Sequence, residues 1–169
     1  ICYTDRVYPE KGIEQLAGAV GLLRKSDPQW KLLVVGHTDV GLKGGGEPYI
    51  QRIIDAASSK DAVECTGGVR DPKILANHIR SCRYYCYSSL ARKGEACPVA
   101  PLEALAAGVP PIVSDLDQFL DYIKPDVNGI TVTMEPEGAE QRLAEVIRAL
   151  DKDTERYARL SKETATSAQ

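Results

Sequence analysis

The chain has 169 residues, of which 43% are hydrophobic and 27% charged, with a formal net charge of −3. That length suits one domain, able to bury roughly two-thirds of its unfolded surface, and the slightly acidic balance gives no case for nucleic-acid binding, which usually demands a clearly basic face. No apolar run is long enough to cross a bilayer, and no secretory leader pattern opens the chain.

Apolar runs bounded by turn residues alternate with helical patterns from one end to the other. ICYTDR (1–6) opens as a strand, and Ile13, Leu16, Ala17, Val20 and Leu23 then share one helical face. KLLVVG (31–36) has the short, continuous apolar character of a strand buried in a parallel sheet. A polar, glycine-rich loop (37–46) leads to a helix whose first turn suits Pro48 and whose apolar positions are Ile50, Ile53, Ile54 and Ala57. AVECT (62–66) is a third strand, ended by Gly67-Gly68. Asp71-Pro72 sets a cap and a proline at the start of the next helix. RYYCYSS (83–89) is a fourth strand, and a loop at 90–97 leads into the helix PVAPLEALAAG, closed by Gly108. PPIVS (110–114), a short helix near 116–122, GITVT (129–133) and two helices near 137–150 and 153–165 complete the order.

Strands alternating with helices predict an α/β fold, a Rossmann-like doubly wound parallel sheet of about six strands in three α/β/α layers, over residues 1–169 as a single domain. In such a sheet ligands bind beyond the carboxyl ends of the strands. The loops at 4–12, 37–46, 67–71, 88–98 and 114–117 are therefore the places to find a site. The chain begins at Ile1 and its only methionine is Met134, which reads as a piece of a longer protein.

The cysteines do not make a metal site. Cys2, Cys65, Cys82, Cys86 and Cys97 are odd in number, Cys82 and Cys86 are spaced C-x3-C, and His37 and His78 lie far from them. Reduced, mostly buried thiols are expected. The glycine-rich loop 36–46 is no phosphate-binding P-loop, because Leu42 and Lys43 stand where Lys and Ser or Thr belong. It reads as a flexible or solvent loop. His37, at the end of the second strand, is a candidate for approaching phosphates, and His78 reads as a surface or packing residue.

The loop and helix at 88–108 carry the strongest signal. Glu95 lies in the loop and Glu103 in the early turns of the helix. The first amides of a helix lack internal partners and the helix dipole adds positive potential, so an anion docks there. A carboxylate a turn inside reaches the vicinal hydroxyls of a ribose. On spacing alone, a pair of solvated acids flanking a helix is the commoner reading. Arg6 and Lys11, just after the first strand, add a planar fork and a compact cation for phosphate oxygens.

These residues resemble the C-terminal domain of family 4 retaining glycosyltransferases of the two-Rossmann-domain type, the glycosyl transferases group 1. The resemblance runs through R-V-x-P-E-K-G, LLVVG, TGGV, the strand ending at Ser88-Ser89, G-E-A-C-P-V-A-P-L-E-A-L-A-A-G-V-P-P-I-V-S-D and then N-G. It implies that Arg6 and Lys11 bind the donor diphosphate and that Glu95 sits beside the transferred sugar. The backbone of Ala96, Cys97, Pro98 and Val99 would line sugar and phosphates, and Glu103 would hold the ribose. Val69 and Arg70 would lie against the nucleobase, with Leu102 and Ser88 as pocket walls.

The family's parent enzyme transfers a hexose from a nucleotide sugar to an acceptor hydroxyl. Its N-terminal acceptor domain, absent here, is the expected partner and the place for any peripheral membrane contact. The resemblance implies a cytoplasmic protein with no metal or other cofactor, and a chain inactive by itself. A nucleotide-sugar epimerase of the same architecture and a non-catalytic nucleotide-binding module are the alternatives. Two positions depart from the family pattern. Asp5 stands where glycine is usual, and GEAC lacks the commoner aromatic. Neither removes a charged group that the site is expected to use. Asp115 and Asp117 of DLD (115–117) have metal-motif spacing by letters only.

Overall fold

The computed structural model describes residues 1–91 and 98–167. Its strands are β1 (Cys2–Thr4), β2 (Leu32–Val35), β3 (Val63–Gly67), β4 (Tyr85–Tyr87), β5 (Pro111–Ser114) and β6 (Ile130–Val132). They form one sheet in the order β3-β2-β1-β4-β5-β6, and every pairing is parallel. Between them run α1 (Ile13–Arg24), α2 (Gly46–Ala56), α3 (Pro72–Ser81), α4 (Val99–Ala106) and α5 (Asp117–Leu120), and after β6 come α6 (Ala139–Lys152) and α7 (Thr154–Ser167). α1 packs on α2 and α6, whereas α4 packs on α3 and α7, so helices cover both faces of the sheet.

The central strands read as continuous apolar runs because both their faces are covered. Every residue of β1, β4 and β5 is buried. β3 is an edge strand, and its Glu64, Cys65 and Thr66 are exposed, which accounts for the polar letters in its sequence. Asp71 caps α3 by accepting from the amides of Lys73 (2.8 Å) and Ile74 (3.4 Å), with Pro72 at the first helical position. Gly108, at φ 78°, ends α4 in the left-handed conformation.

Several elements are shorter than their sequence patterns. The strand expected at 83–89 leaves the sheet after Tyr87, because the Ser88 hydroxyl donates to the carbonyls of Lys11 (3.2 Å) and Gly12 (2.9 Å). The helix expected near 116–122 is the single turn of α5. Strand order reverses between β1 and β4, the switch point at which such sheets hold ligands. Among the described residues four cysteines are free thiols, with Cys2 and Cys86 buried, Cys82 half-buried and Cys65 exposed on the edge strand, a partial correction to the expectation of burial.

Candidate functional site

The carboxyl ends of β1 and β2 are laced together. Asp5 donates its amide to Val35 O (3.2 Å) and Val7 donates to His37 O (3.0 Å). Asp5 has φ 132°, a left-handed-side conformation that side-chain-bearing residues rarely adopt. Gly36 is required opposite it, since a Cβ there would lie 1.8 Å from the Asp5 carbonyl oxygen. The Tyr3 hydroxyl donates to Arg6 O (3.0 Å) and fixes the next residue.

Beyond these ends opens a cleft of about 410 Å³. Thr4, Asp5 and Arg6 line it after β1, Gly36 and His37 after β2, and Gly68 and Val69 after β3, with Leu75 of α3 and Val99, Ala100 and Glu103 of α4 opposite. His37 lies flat against the TGG turn, because a Cβ on Gly68 would lie 2.1 Å from its ring. Val99 and Glu103 are four apart on α4, so both face the cleft, and Val99 is 62% exposed. Pro98 is the N-cap, its carbonyl accepting from the Tyr122 hydroxyl at 3.2 Å. Pro98 and Pro101 have no amide hydrogen, so Val99, Ala100 and Leu102 carry the N–H groups at this end of α4.

Glu103 is half-buried, and its carboxylate has no hydrogen bond or ion pair among the described residues. Burial, and next the negative charge of Asp5, raise its pKa above the ordinary glutamate value. A carboxylate held in a cleft without a partner is an open acceptor for hydroxyl donors.

The two expected phosphate cations are not free. Arg6 is ion-paired to Glu10 and stacks over the Tyr8 ring at 5.2 Å. Lys11 is buried, with Nζ 2.9 Å from Asp5 Oδ2 and donating to the Tyr87 hydroxyl at 2.8 Å. Tyr87 in turn donates to Asp5 Oδ2 at 2.6 Å. Burial would raise the Asp5 carboxyl, but Tyr87, Lys11 and the Arg6 amide together hold it below the usual aspartate value. Asp5, and not Lys11, lines the described cleft. The expectation that the departure at Asp5 leaves the charged groups of the site untouched is thus corrected: Asp5 takes up the charge of Lys11.

Of the other expected site residues, Arg6, Val69, Val99 and Glu103 meet in the cleft. Arg70 is exposed beside it. Ser88 is 1% exposed and acts as a tether between β4 and the turn before α1, not as a pocket wall. Leu102 lines a separate groove with Tyr122 and Lys124, because it is one residue off the face that carries Glu103. Glu95, Ala96 and Cys97 lie outside the described residues.

The glycine-rich loop is neither a cradle nor loose. Asp39 caps a turn at Val40–Leu42, and the amides of Gly44, Gly45 and Gly46 donate to Asp39, Val7 and Thr38 carbonyls. In DLD, Asp115 accepts from the Thr133 hydroxyl at 2.7 Å. No group of three or more His, Cys, Asp or Glu residues that would hold a metal ion occurs among the described residues. No helix there is long and apolar enough to cross a membrane.

Comparison with known proteins adds to this geometry. The family model described as glycosyl transferases group 1 matches residues 1–167. The chain is 26% identical over 163 residues to the lipopolysaccharide 1,2-N-acetylglucosaminetransferase of Salmonella typhimurium, covering 96% of this chain and 42% of that protein. Among solved structures, sucrose-phosphate synthase from Thermosynechococcus elongatus superposes with a TM-score of 0.80 at 25% identity, covering 99% of this chain and 40% of that one. Anabaena HepE, solved in complex with UDP-glucose, superposes with a TM-score of 0.80 at 21% identity, over 99% of this chain and 43% of its own, a likeness of fold. The chain spans less than half the length of each of these relatives.

Proposed function

The chain belongs to the glycosyl transferases group 1 family, and on that premise we propose that it holds the nucleoside-diphosphate-sugar donor for transfer of a hexose to an acceptor hydroxyl, with retention at the anomeric carbon. The observation that carries the reading is Glu103, a half-buried carboxylate without a partner among the described residues, which faces the cleft at the switch point. Burial, and next the Asp5 charge, raise its pKa. Two neighbouring hydroxyls of a ribose would supply the missing donors.

The rest of the cleft suits the same ligand. Val69 offers an apolar wall to a base, with Arg70 at its edge. The exposed end of α4 and Arg6 face the place for a diphosphate, where positive potential stabilises charge on a departing phosphate. Glu95 belongs beside the transferred sugar on the strength of the family motif. The acceptor enters from a second domain, so this chain alone binds donor without turning it over. Positioning supplies roughly 7–11 kcal/mol in well-aligned reactions, and that contribution is missing without the acceptor wall. The reading includes a cytoplasmic location and no divalent cation.

Calorimetric titration with UDP-, GDP- and ADP-sugars in excess chelator tests it. One of these donors should bind, and Glu103→Ala should weaken that binding by about 1–3 kcal/mol. Undiminished affinity in the variant would remove the ribose assignment. Binding only when magnesium or manganese is restored would bring Asp115 and Asp117 back as ligands.

A further inference from the structure

The diphosphate end of the cleft contains an acid that the donor reading does not use. Asp5 is 33% exposed at its side chain, on the cleft wall, while Lys11 at 8% is enclosed against it. The ammonium, the Tyr87 hydroxyl and the Asp5 carboxylate close a three-membered ring of contacts at 2.9, 2.8 and 2.6 Å. The Lys11 ammonium also sits 5.3 Å from the centre of the Tyr87 ring. Asp5 is held there at φ 132°, a conformation that disfavours any side chain, so the acid sits in a strained seat kept by its contacts. Arg6, the other cation at this edge, is paired to Glu10. Among the described residues, each of the two cations at this edge is thus matched by an acid, Arg6 by Glu10 and Lys11 by Asp5.

We propose that Asp5 is a specificity-determining residue that discriminates against free nucleoside diphosphate in favour of the sugar-capped donor. The chemistry is a difference of one charge. A free diphosphate ends in a phosphate whose second ionisation lies near pH 6, so at neutral pH it carries one more negative charge than the same nucleotide esterified to a sugar. That extra charge falls on the terminal phosphate. A carboxylate on the wall, with its neighbouring ammonium already occupied, repels the free diphosphate more than the capped one. The product is thereby released more readily, at the cost of a weaker grip on both. This inference rests on the donor-site reading above.

The test compares affinities of the 169-residue chain and two variants, Asp5→Asn and Asp5→Gly. Asparagine keeps the shape and removes the charge, and glycine also relieves the backbone, so a folding defect in one does not decide the matter. Each is titrated with UDP, GDP and ADP and with the matching UDP-glucose, GDP-mannose and ADP-glucose. Loss of one charge contact in a partly screened cleft should tighten the free diphosphate by about tenfold. The sugar-capped form should tighten by clearly less, so that the ratio of the two affinities moves toward free diphosphate. A wild-type chain that binds a nucleotide sugar, with variants whose ratio is unchanged, would overturn the inference and leave the donor site standing. Variants that weaken both ligands equally would overturn it too, since Asp5 would then only be seating Lys11. If no form binds any of the six ligands, the donor-site reading falls and this inference falls with it.

Discussion

Two clefts of similar size open at opposite edges of the sheet, and they differ in their chemistry. The cleft at the amino edge measures about 450 Å³ and the one at the carboxyl edge about 410 Å³. The amino-edge cleft is walled mainly by aromatic packing, with the Cys82 thiol on its lining held below the ordinary thiol value by its hydrogen bond with Cys2. Trp30 stacks on Tyr84 at 5.7 Å, and Tyr84 meets Tyr157 edge-on at 5.5 Å. Arg83 lies over both tyrosine rings, and the Tyr84 hydroxyl donates to Asp151 at 2.9 Å. The carboxyl-edge cleft brings together an acid without a partner among the described residues, a strained acid and glycines that let backbones approach. Volume does not separate the two clefts. Unsatisfied charge and local strain, held in place by the surrounding fold, do.

The comparison can be broken by substitution. Tyr84→Ala, in the amino-edge wall and 1% exposed, should cost about 3–5 kcal/mol of unfolding free energy, the scale for emptying a buried aromatic site. Its nucleotide affinity should be unchanged at temperatures where the variant is folded. Urea denaturation and calorimetry on the same sample measure both. A drop in affinity matching the drop in stability would mean that the two edges are not independent. Arg6→Ala should have the opposite profile, with little change in stability because its pair with Glu10 is partly exposed and screened by solvent. It should weaken a nucleoside diphosphate by about 1–2 kcal/mol and leave the nucleoside nearly unaffected.

The smallest effect sharpens the contrast within the carboxyl edge, and it is read along the pH axis. Glu103 has a raised pKa, so the folded chain binds its proton more tightly than the unfolded chain, and stability falls as pH rises through the window just above the ordinary glutamate value. Asp5 has a lowered pKa, so its contribution is present above the ordinary aspartate value and is lost as pH falls through the window below it. Glu103→Gln should flatten the first slope and Asp5→Asn the second. Unfolding midpoints across an acid pH series measure both. Slopes that persist in the variants would assign these titrations to other groups.

The fold was legible because its signals are local. Asp71-Pro72 capped a helix, Gly108 closed one, and LLVV read as a strand buried on both faces. Arg6, Val69 and Glu103 were legible as cleft residues because position after a strand, or early in a helix, is enough to place them at the carboxyl edge. Leu102 was misplaced although the helical period was readable, since a residue next to Glu103 turns off its face. The ring of Asp5, Lys11 and Tyr87 was not legible. Tyr87 lies 82 residues from Asp5, and which partner a buried ammonium takes depends on the distance between β1 and β4, which no local pattern encodes. The letter Asp5 stood out, but its effect on Lys11 needed the geometry.

One contact bears on engineering. Gly12, at φ 66°, sits where a Cβ would lie 1.9 Å from the Ser88 carbonyl oxygen. Leu90 donates to Glu10 O at 2.8 Å across the same seam. The segment that carries Arg6 and Lys11 and the segment that leads toward Glu95 are thus riveted at one point. A segment at 87–90 transplanted from a relative by itself would arrive with the wrong seat. The transferable unit is residues 4–12 and 87–90 together, and chimaeras cut between them should express poorly where those carrying both pieces do not.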